Sequence, residues 1–537
     1  MKYMKKWSII CCALAFTACN ADYYEGFAFS ARKQTPPPPA PKYALSATVH
    51  ALTLVNTNPT GGFYIPYESV PVVSDYDPQT EPRFTISAEN GSLDGIYEGE
   101  EFWITPNADP AEWQMLSLTI NGENASLLDT NGTPQRHPMP ARDTALVIAL
   151  GQKDNFDPLV LRETEMNDGT IKYEAFLHFY TAFSSFSADR SKPPRLILLK
   201  DLIYSSTSII IGNDCSLTSA DDGYSITDVN FMMSGGKLTL SNITLDGGSS
   251  NNNPLITVTP SPGGAFVMEE GTILRSRENR NGNGGAVYLQ GYTSTPTRTF
   301  IMKGGEINDC SAKNGGAVYV GAGTEFIMEG GIISQNHAKG SGSPDYRDGN
   351  GGGVCIEDGT MIMRGGVIWN NDARDGCNPS GGGDPSGGGG VYVIGGSFTM
   401  EDGQILSNDT NAYGHGVLVG YGGNFVMKGG HIEPPTDVVG SNGVFVFSGN
   451  FTMEESAAID SDNNVGLFNG VISIGSLNAP FAARIKPWNY TLPVTVLVPK
   501  PGYTLTTADL AKFTVVPNGE QEYYLTLEGG NGVLAER

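Results

Sequence analysis

The sequence predicts a mainly β fold: a parallel β-helix, or solenoid, of stacked short strands, preceded by a small β-sandwich-like module and a short capping helix. Three observations carry this. A core of the form [F/M]-x-M recurs seven times, ending at Met268, Met302, Met328, Met363, Met400, Met427 and Met453. Around each core lie about three short apolar runs separated by Gly and Asn turns. The residue after each core methionine alternates in charge along the whole series.

The intervals between cores are 34, 26, 35, 37, 27 and 26 residues. The short interval is the unit, and the long ones hold insertions at 292–299, 340–350 and 376–387. Upstream of the core stands GG[A/G]V, as in GGAVYL (284–289), GGAVYV (315–320), GGGVCI (351–356) and GGGVYV (388–393). Downstream stands G-x-I-x-x-N, as in GIISQN (331–336), GVIWNN (366–371) and GQILSN (403–408). No run is long enough for a helix, and period-2 alternation marks each as a strand.

A unit this small cannot bury its apolar side alone, so copies must stack in register, ~4.8 Å apart. Stacking places Phe and Met columns inside, with Val318 and Val320 inward and Tyr319 outward, because successive side chains alternate faces. The charges support direct stacking. They read Glu269, Lys303, Glu329, Arg364, Glu401, Lys428, Glu454, and opposite signs favour neighbouring strands whereas like signs oppose them. Asn336, Asn371 and Asn408 share one turn slot, with Cys310 and Ser276 expected in it earlier, where stacked amides can bond from unit to unit.

Domain limits follow from composition. Residues 1–18 read as a signal peptide: Lys2, Lys5 and Lys6, then an apolar run from Trp7 to Ala18. Residues 19–42 form a tether whose PPPPAPK segment is extended and semi-rigid. Residues 43–150 are a small β-module, and 151–194 a linker with a helical cap. The cap rests on Phe176, Phe179, Tyr180 and Phe183, spaced i, i+3, i+4, i+7 across 174–186. The stacked strands run over 195–480, and 481–537 close the far end.

These residues resemble a known family. GGAV with xxxN repeats is similar to the right-handed β-helix repeats of polymorphic outer-membrane proteins and autotransporters. With FTAC before Cys19, which resembles a lipobox despite Phe16 in place of the usual Leu, the chain resembles spirochaete-type surface lipoproteins. The resemblance covers roughly 190–480. It implies a right-handed parallel β-helix, lipidation of Cys19, and an exported protein anchored by lipid at the outer membrane or cell surface. An autotransporter ends in a membrane barrel; here about 55 residues follow the last repeat, too few for one, so the lipid is the expected anchor.

The formal charge is −24, and about −27 once the three leader lysines are removed, so nucleic acid is not an expected partner. Cys215, Cys310, Cys355 and Cys377 lie outside the leader and have neither CxxC nor metal spacing. No P-loop lysine, HExxH or GxSxG motif occurs, so no catalytic residue is assigned. Two candidate sites remain. The outward column Tyr288, Tyr319, Cys355, Tyr392, Leu418 and Phe445 would make a stripe able to bind sugar or protein, with Tyr288, Tyr319, Tyr392 and Phe445 as its contacts. The same column could instead be a ladder that steadies its own sheet. Asp345, Asp348, Asp372, Asp375 and Asp384 gather near the two longest insertions and are the candidates for Ca²⁺, the one cofactor considered; the alternative is that they keep Gly-rich loops soluble. The expected function is adhesion to host or neighbouring-cell protein or glycan by a monomer. The alternatives are a carbohydrate-active enzyme and a spacer with no ligand.

Overall fold

The computed structural model describes residues 42–52, 69–71, 84–89, 94–106, 113–121, 123–125, 135–152, 159–166, 169, 171–176, 179–184, 192–220, 223–248, 252–259, 264–279, 281–291, 298–340, 348–375, 386–433, 435 and 442–537. The leader, Cys19 and the proline tether lie outside them. So do Asp345, Cys377 and Asp384. The chain is mainly β, and no helix among the described residues is long and apolar enough to cross a membrane.

The module after the tether holds two sheets. One contains strands Lys42–Leu52, Ser69–Pro71, Asp94–Tyr97, Trp113–Ile120, Glu123–Ala125 and Thr144–Gln152; the other contains Phe84–Ala88, Glu101–Pro106 and Gln135–Pro138. Leu45, Ile86, Phe102, Ile104, Leu118 and Ile148 meet in one core shared by both. Period-2 alternation does this locally: Phe102 and Ile104 are buried, whereas Glu101 and Trp103 are only half-buried.

The helix expected over 174–186 is a correction. Ile171–Phe176 is a strand, paired antiparallel with Val160–Glu165, and among the described residues of this stretch the helix is Phe179–Ser184. Alternation inside the strand decided the matter. Tyr173 and Ala175 are buried on one face, while on the other Phe176 joins the main core and Glu174 accepts from Arg162 Nε at 3.0 Å and Nη2 at 2.5 Å. The aromatic spacing arose by accident across the junction of strand and helix. Phe179 and Phe183 still close this end of the main core, with ring centroids 6.2 and 5.9 Å from Phe231.

Beyond it, successive units pair parallel and in register. Phe266, Phe300, Phe326, Met361, Phe398, Phe425 and Phe451 form one column, and the seven core methionines another, in a 16-stranded sheet. Ring centroids of Phe300 and Phe326 lie 4.6 Å apart, and those of Phe398 and Phe425 4.8 Å. That is the strand spacing itself. A 19-stranded sheet holds two more ladders. One runs through Val287, Val318, Val354, Val391, Val417 and Val444. The other runs through Leu274, Ile307, Ile333, Ile368, Ile405 and Ile432. All these side chains are fully buried in a single core. The GG corner before the Val318 strand needs glycine: Gly315 has φ +62°, and a Cβ there would meet Val318 O at 2.2 Å.

Parallel pairing does not stop at 480. Ala483–Pro487 pairs with Asn464–Leu467, Thr495–Pro499 with Ile472–Leu477, and Phe513–Val515 with Ala483–Pro487. The methionine signature fades there, but the alternation that builds the strands continues.

Candidate functional site

After each Ile strand the chain turns sharply through a left-handed residue. Ser276, Asp309, Gln335, Asn370 and Ser407 have φ between +50° and +57°. The next residue faces inward. Asn336, Asn371 and Asn408 are thus buried and joined into a chain. Asn371 Nδ2 donates to Asn408 Oδ1 at 3.0 Å and to Ile333 O at 2.9 Å; its own Oδ1 accepts from Asn336 N–H at 3.0 Å and from Asn336 Nδ2 at 2.9 Å. Cys310 N–H joins by donating to Asn336 Oδ1 at 3.0 Å.

The earlier slot expected for Ser276 belongs to Arg277, because Ser276 is itself the left-handed bend. Leu274 pairs with Ile307, which sets Arg277 level with Cys310. Arg277 is fully buried. Its Nη1 donates to Asp228 Oδ1 at 3.2 Å and its Nη2 to Val229 O at 2.9 Å. Burial pulls the guanidinium below its ordinary value, and Asp228 opposes that. A second amide column, not singled out in the sequence, stands before the GG corners. Asn314 Nδ2 donates to Asn283 Oδ1 at 3.2 Å, Asn350 N–H to Asn314 Oδ1 at 3.1 Å, and Gly387 N–H to Asn350 Oδ1 at 3.1 Å.

The aromatic stripe is a column, but it is not an open face. Tyr288, Tyr319, Cys355, Tyr392, Leu418 and Phe445 are neighbours in register on the outer side of the Val ladder. Tyr319 is 8% exposed, Tyr392 3% and Phe445 2%; only Tyr288 is half-buried. Neighbouring side chains cover much of it: Tyr413 stacks on Phe445 at 4.5 Å, and Phe468 packs there with Ile394 and Phe447, each two residues beyond a member of the column. Tyr319 OH donates to Glu357 Oε2 at 2.5 Å, and burial pushes the phenol far above its ordinary value. Covered rings offer little area to a ligand, so the geometry favours the ladder that steadies its own sheet.

The acidic candidates do not converge. Asp348 is buried and bound by Lys313 Nζ at 2.7 Å. Asp375 pairs by backbone with Lys339; its side chain lies outside the described residues. Asp372 instead joins a mixed cluster on a four-stranded sheet of short strands. Its Oδ2 lies 3.7 Å from His337 Nδ1 and 3.6 Å from Arg374 Nε. Arg374 Nη2 also binds Asp409 Oδ2, and His415 Nδ1 lies 3.1 Å from Asp409 Oδ1. Burial raises the Asp372 carboxyl above its ordinary value, while His337 and Arg374 pull it down. Among the described residues, no group of three His, Cys, Asp or Glu side chains could hold a metal ion. The two aspartates of the set whose side chains are described, Asp348 and Asp372, already face a cation of the protein.

One open face escaped the sequence reading. In a three-residue strand with its middle residue in the core, both flanking side chains point outward. Ile332 and Val367 are paired neighbours, as are Ser334, Trp369 and Leu406. Trp369 and Ile332 are each 42% exposed, and Val367 and Leu406 half-buried. Polar residues border this apolar patch: Glu306 and Asn308 on one side, His431 and Glu433 on the other. The slot of Trp369 holds Asn308, Ser334 and Glu433 in nearby units. That break in the repeat was the available signal. No protein-family model, curated protein or solved structure matches the chain.

Proposed function

We propose that the protein is an exported, lipid-anchored surface protein whose ladders wind as a right-handed parallel β-helix. It displays a binding face for adhesion to host or neighbouring-cell surfaces. The observation that carries the adhesive reading is the Trp369 patch. Here a large aromatic ring and Ile332 stay open to solvent across adjacent, paired units. Exposed aromatics bordered by polar groups mark recognition sites. Both long insertions also leave from corresponding places in neighbouring units, after His337–Lys339 and Asp372–Asp375. The test is an array of glycans and matrix proteins probed with the intact chain and with Trp369→Ala, in Ca²⁺ and in chelator. Saturable binding without product release, lost in the variant, is expected. Binding untouched by the substitution removes this face from the reading, and no binding at all leaves the spacer.

A second reading, a carbohydrate-active enzyme, rests on Asp372 and Asp409. They face each other as bridge partners, share Arg374, and one of them is held above its ordinary range. Carboxylates tuned apart can divide acid and base roles. Oligosaccharide released by the intact chain and abolished in Asp372→Asn would make this the function.

A further inference from the structure

At the far end of the ladders a hairpin comes apart. Its turn is closed by Asn518 N–H to Gln521 O at 3.0 Å and Gln521 N–H to Asn518 O at 3.2 Å. The two arms then join different sheets. Phe513–Val515 ends the 19-stranded sheet beside Ala483–Pro487, and Tyr523–Glu528 ends the 16-stranded sheet beside Asn531–Glu536. A groove of about 790 Å³ lies along the arms, lined by Phe513, Val515, Tyr523, Leu525 and Leu527, with Leu510 of the helix Thr507–Leu510 among its lining. Among the described residues no strand pairs with the outer edge of either arm.

An unpaired edge is a row of unused backbone donors and acceptors, ready for another strand. Val516 N–H donates to Ile485 O at 2.8 Å, so the N–H of Val515, one residue earlier in an extended chain, points the opposite way, to the free edge. We propose that this groove takes an extended strand of a partner polypeptide by β-augmentation, with apolar side chains on alternate residues and an acidic residue facing Arg484. Backbone on the groove walls selects an extended chain over a helix or a sugar. The charge follows from the lining. Glu522 is bound by Arg537 Nη1 at 3.0 Å, which leaves Arg484 to set the sign. A second copy is the poorer occupant, because a chain of charge −24 repels its own kind. The arms offer three and six residues, so a segment of ~4–6 residues fits. This site is separate from the Trp369 face.

The probe is the synthetic peptide Asp-Thr-Val-Thr-Val-Thr-Val, titrated into the intact chain by calorimetry and followed by hydrogen exchange. Expected are saturable binding and new protection confined to 513–515 and 523–528. Val515→Pro removes a free-edge donor and no ladder bond, and should weaken binding at least tenfold. Arg484→Glu should weaken it similarly and restore it for the same peptide with Lys in place of Asp, a reversal that a misfolded variant cannot show. Absence of binding, or protection elsewhere, overturns the proposal. Protection of the same edge without peptide, rising with protein concentration, also overturns it by making the second copy the occupant.

Discussion

Arg277 Nη1 and Asp228 Oδ1, 49 residues apart in sequence, lie 3.2 Å apart in the interior. The pair fills the place that asparagine takes later in the stack. A buried charge that loses its partner is costly, on the order of 3–5 kcal/mol, whereas replacing both partners by apolar groups is often near neutral. Arg277→Met should therefore destabilise the intact chain by about that much in urea unfolding, and Arg277→Met with Asp228→Asn, which removes the charge at a left-handed position (φ +62°) that asparagine tolerates, should recover part of it. Equal loss in the single and double variants would sink the argument.

Asn371 both accepts and donates within its column, so Asn371→Ala strands the Asn336 N–H and takes the side-chain donor from the Ile333 carbonyl. Each buried orphan costs about 1–3 kcal/mol. Asn371→Asp keeps the acceptor but buries a carboxylate against two oxygens, Ile333 O and Asn408 Oδ1, so at pH 7 it should destabilise at least as much as Ala. Unfolding midpoints of the three proteins rank the effects.

Phe326→Ala opens a hole between stacked rings and should cost about 3–5 kcal/mol. Trp369→Ala, at an open position, should fall within about 0.5 kcal/mol of the parent. Thermal melting separates the two. A large loss at Trp369 would show that its ring supports the fold rather than a ligand.

The exposed charge row should matter little and be sensitive to salt. Lys303 Nζ lies 2.9 Å from Glu269 Oε1, and this carboxylate, aided by Glu329, raises the lysine above its ordinary 10.5. A raised folded value means the stabilisation is complete below the ordinary lysine value and is lost as pH climbs through the folded one. Lys303→Glu should cost roughly 0.2–1 kcal/mol at low salt, less in 1 M NaCl, with the difference from the parent shrinking above pH ~10.5. Unfolding curves at several pH values and two salt concentrations check the sign.

Cys215, Cys310 and Cys355 are buried free thiols. Burial pushes Cys215 and Cys310 up to about 12 and Cys355 well above its ordinary value. A chain with Cys11, Cys12, Cys19 and Cys377 replaced by serine should leave a disulfide reagent untouched at pH 8 until denaturant is added, and then react at three sites. Prompt reaction in buffer would mean the core opens on that timescale.

Much of the stacking was legible because each unit repeats the same alternation, so register follows from aligning methionines. The charge row pairs as expected in its first part, where Arg364 lies between Glu329 and Glu401, at 3.7 and 3.3 Å, but at the far end Lys428 lies beside Glu455 and Glu454 is bound by Lys500. Errors came where a single residue departs from the pattern. Ser276 was placed one position off because a left-handed bend cannot be counted from spacing alone. The 174–186 segment mixed two periods across a junction. The Tyr319 column was placed on the outer side, but part of its cover comes from Tyr413 and Phe468, which lie outside the column's own strands and which no local pattern announces. Trp369 was passed over because its slot was treated as variable surface.

The alternating charge row also bears on how such a chain can change length. Deleting one unit between Glu269 and Glu454 would set two glutamates, or two cations, face to face. Deleting two neighbouring units restores the alternation at the seam. At low salt the row therefore tilts the stack slightly toward changes of length by an even number of units.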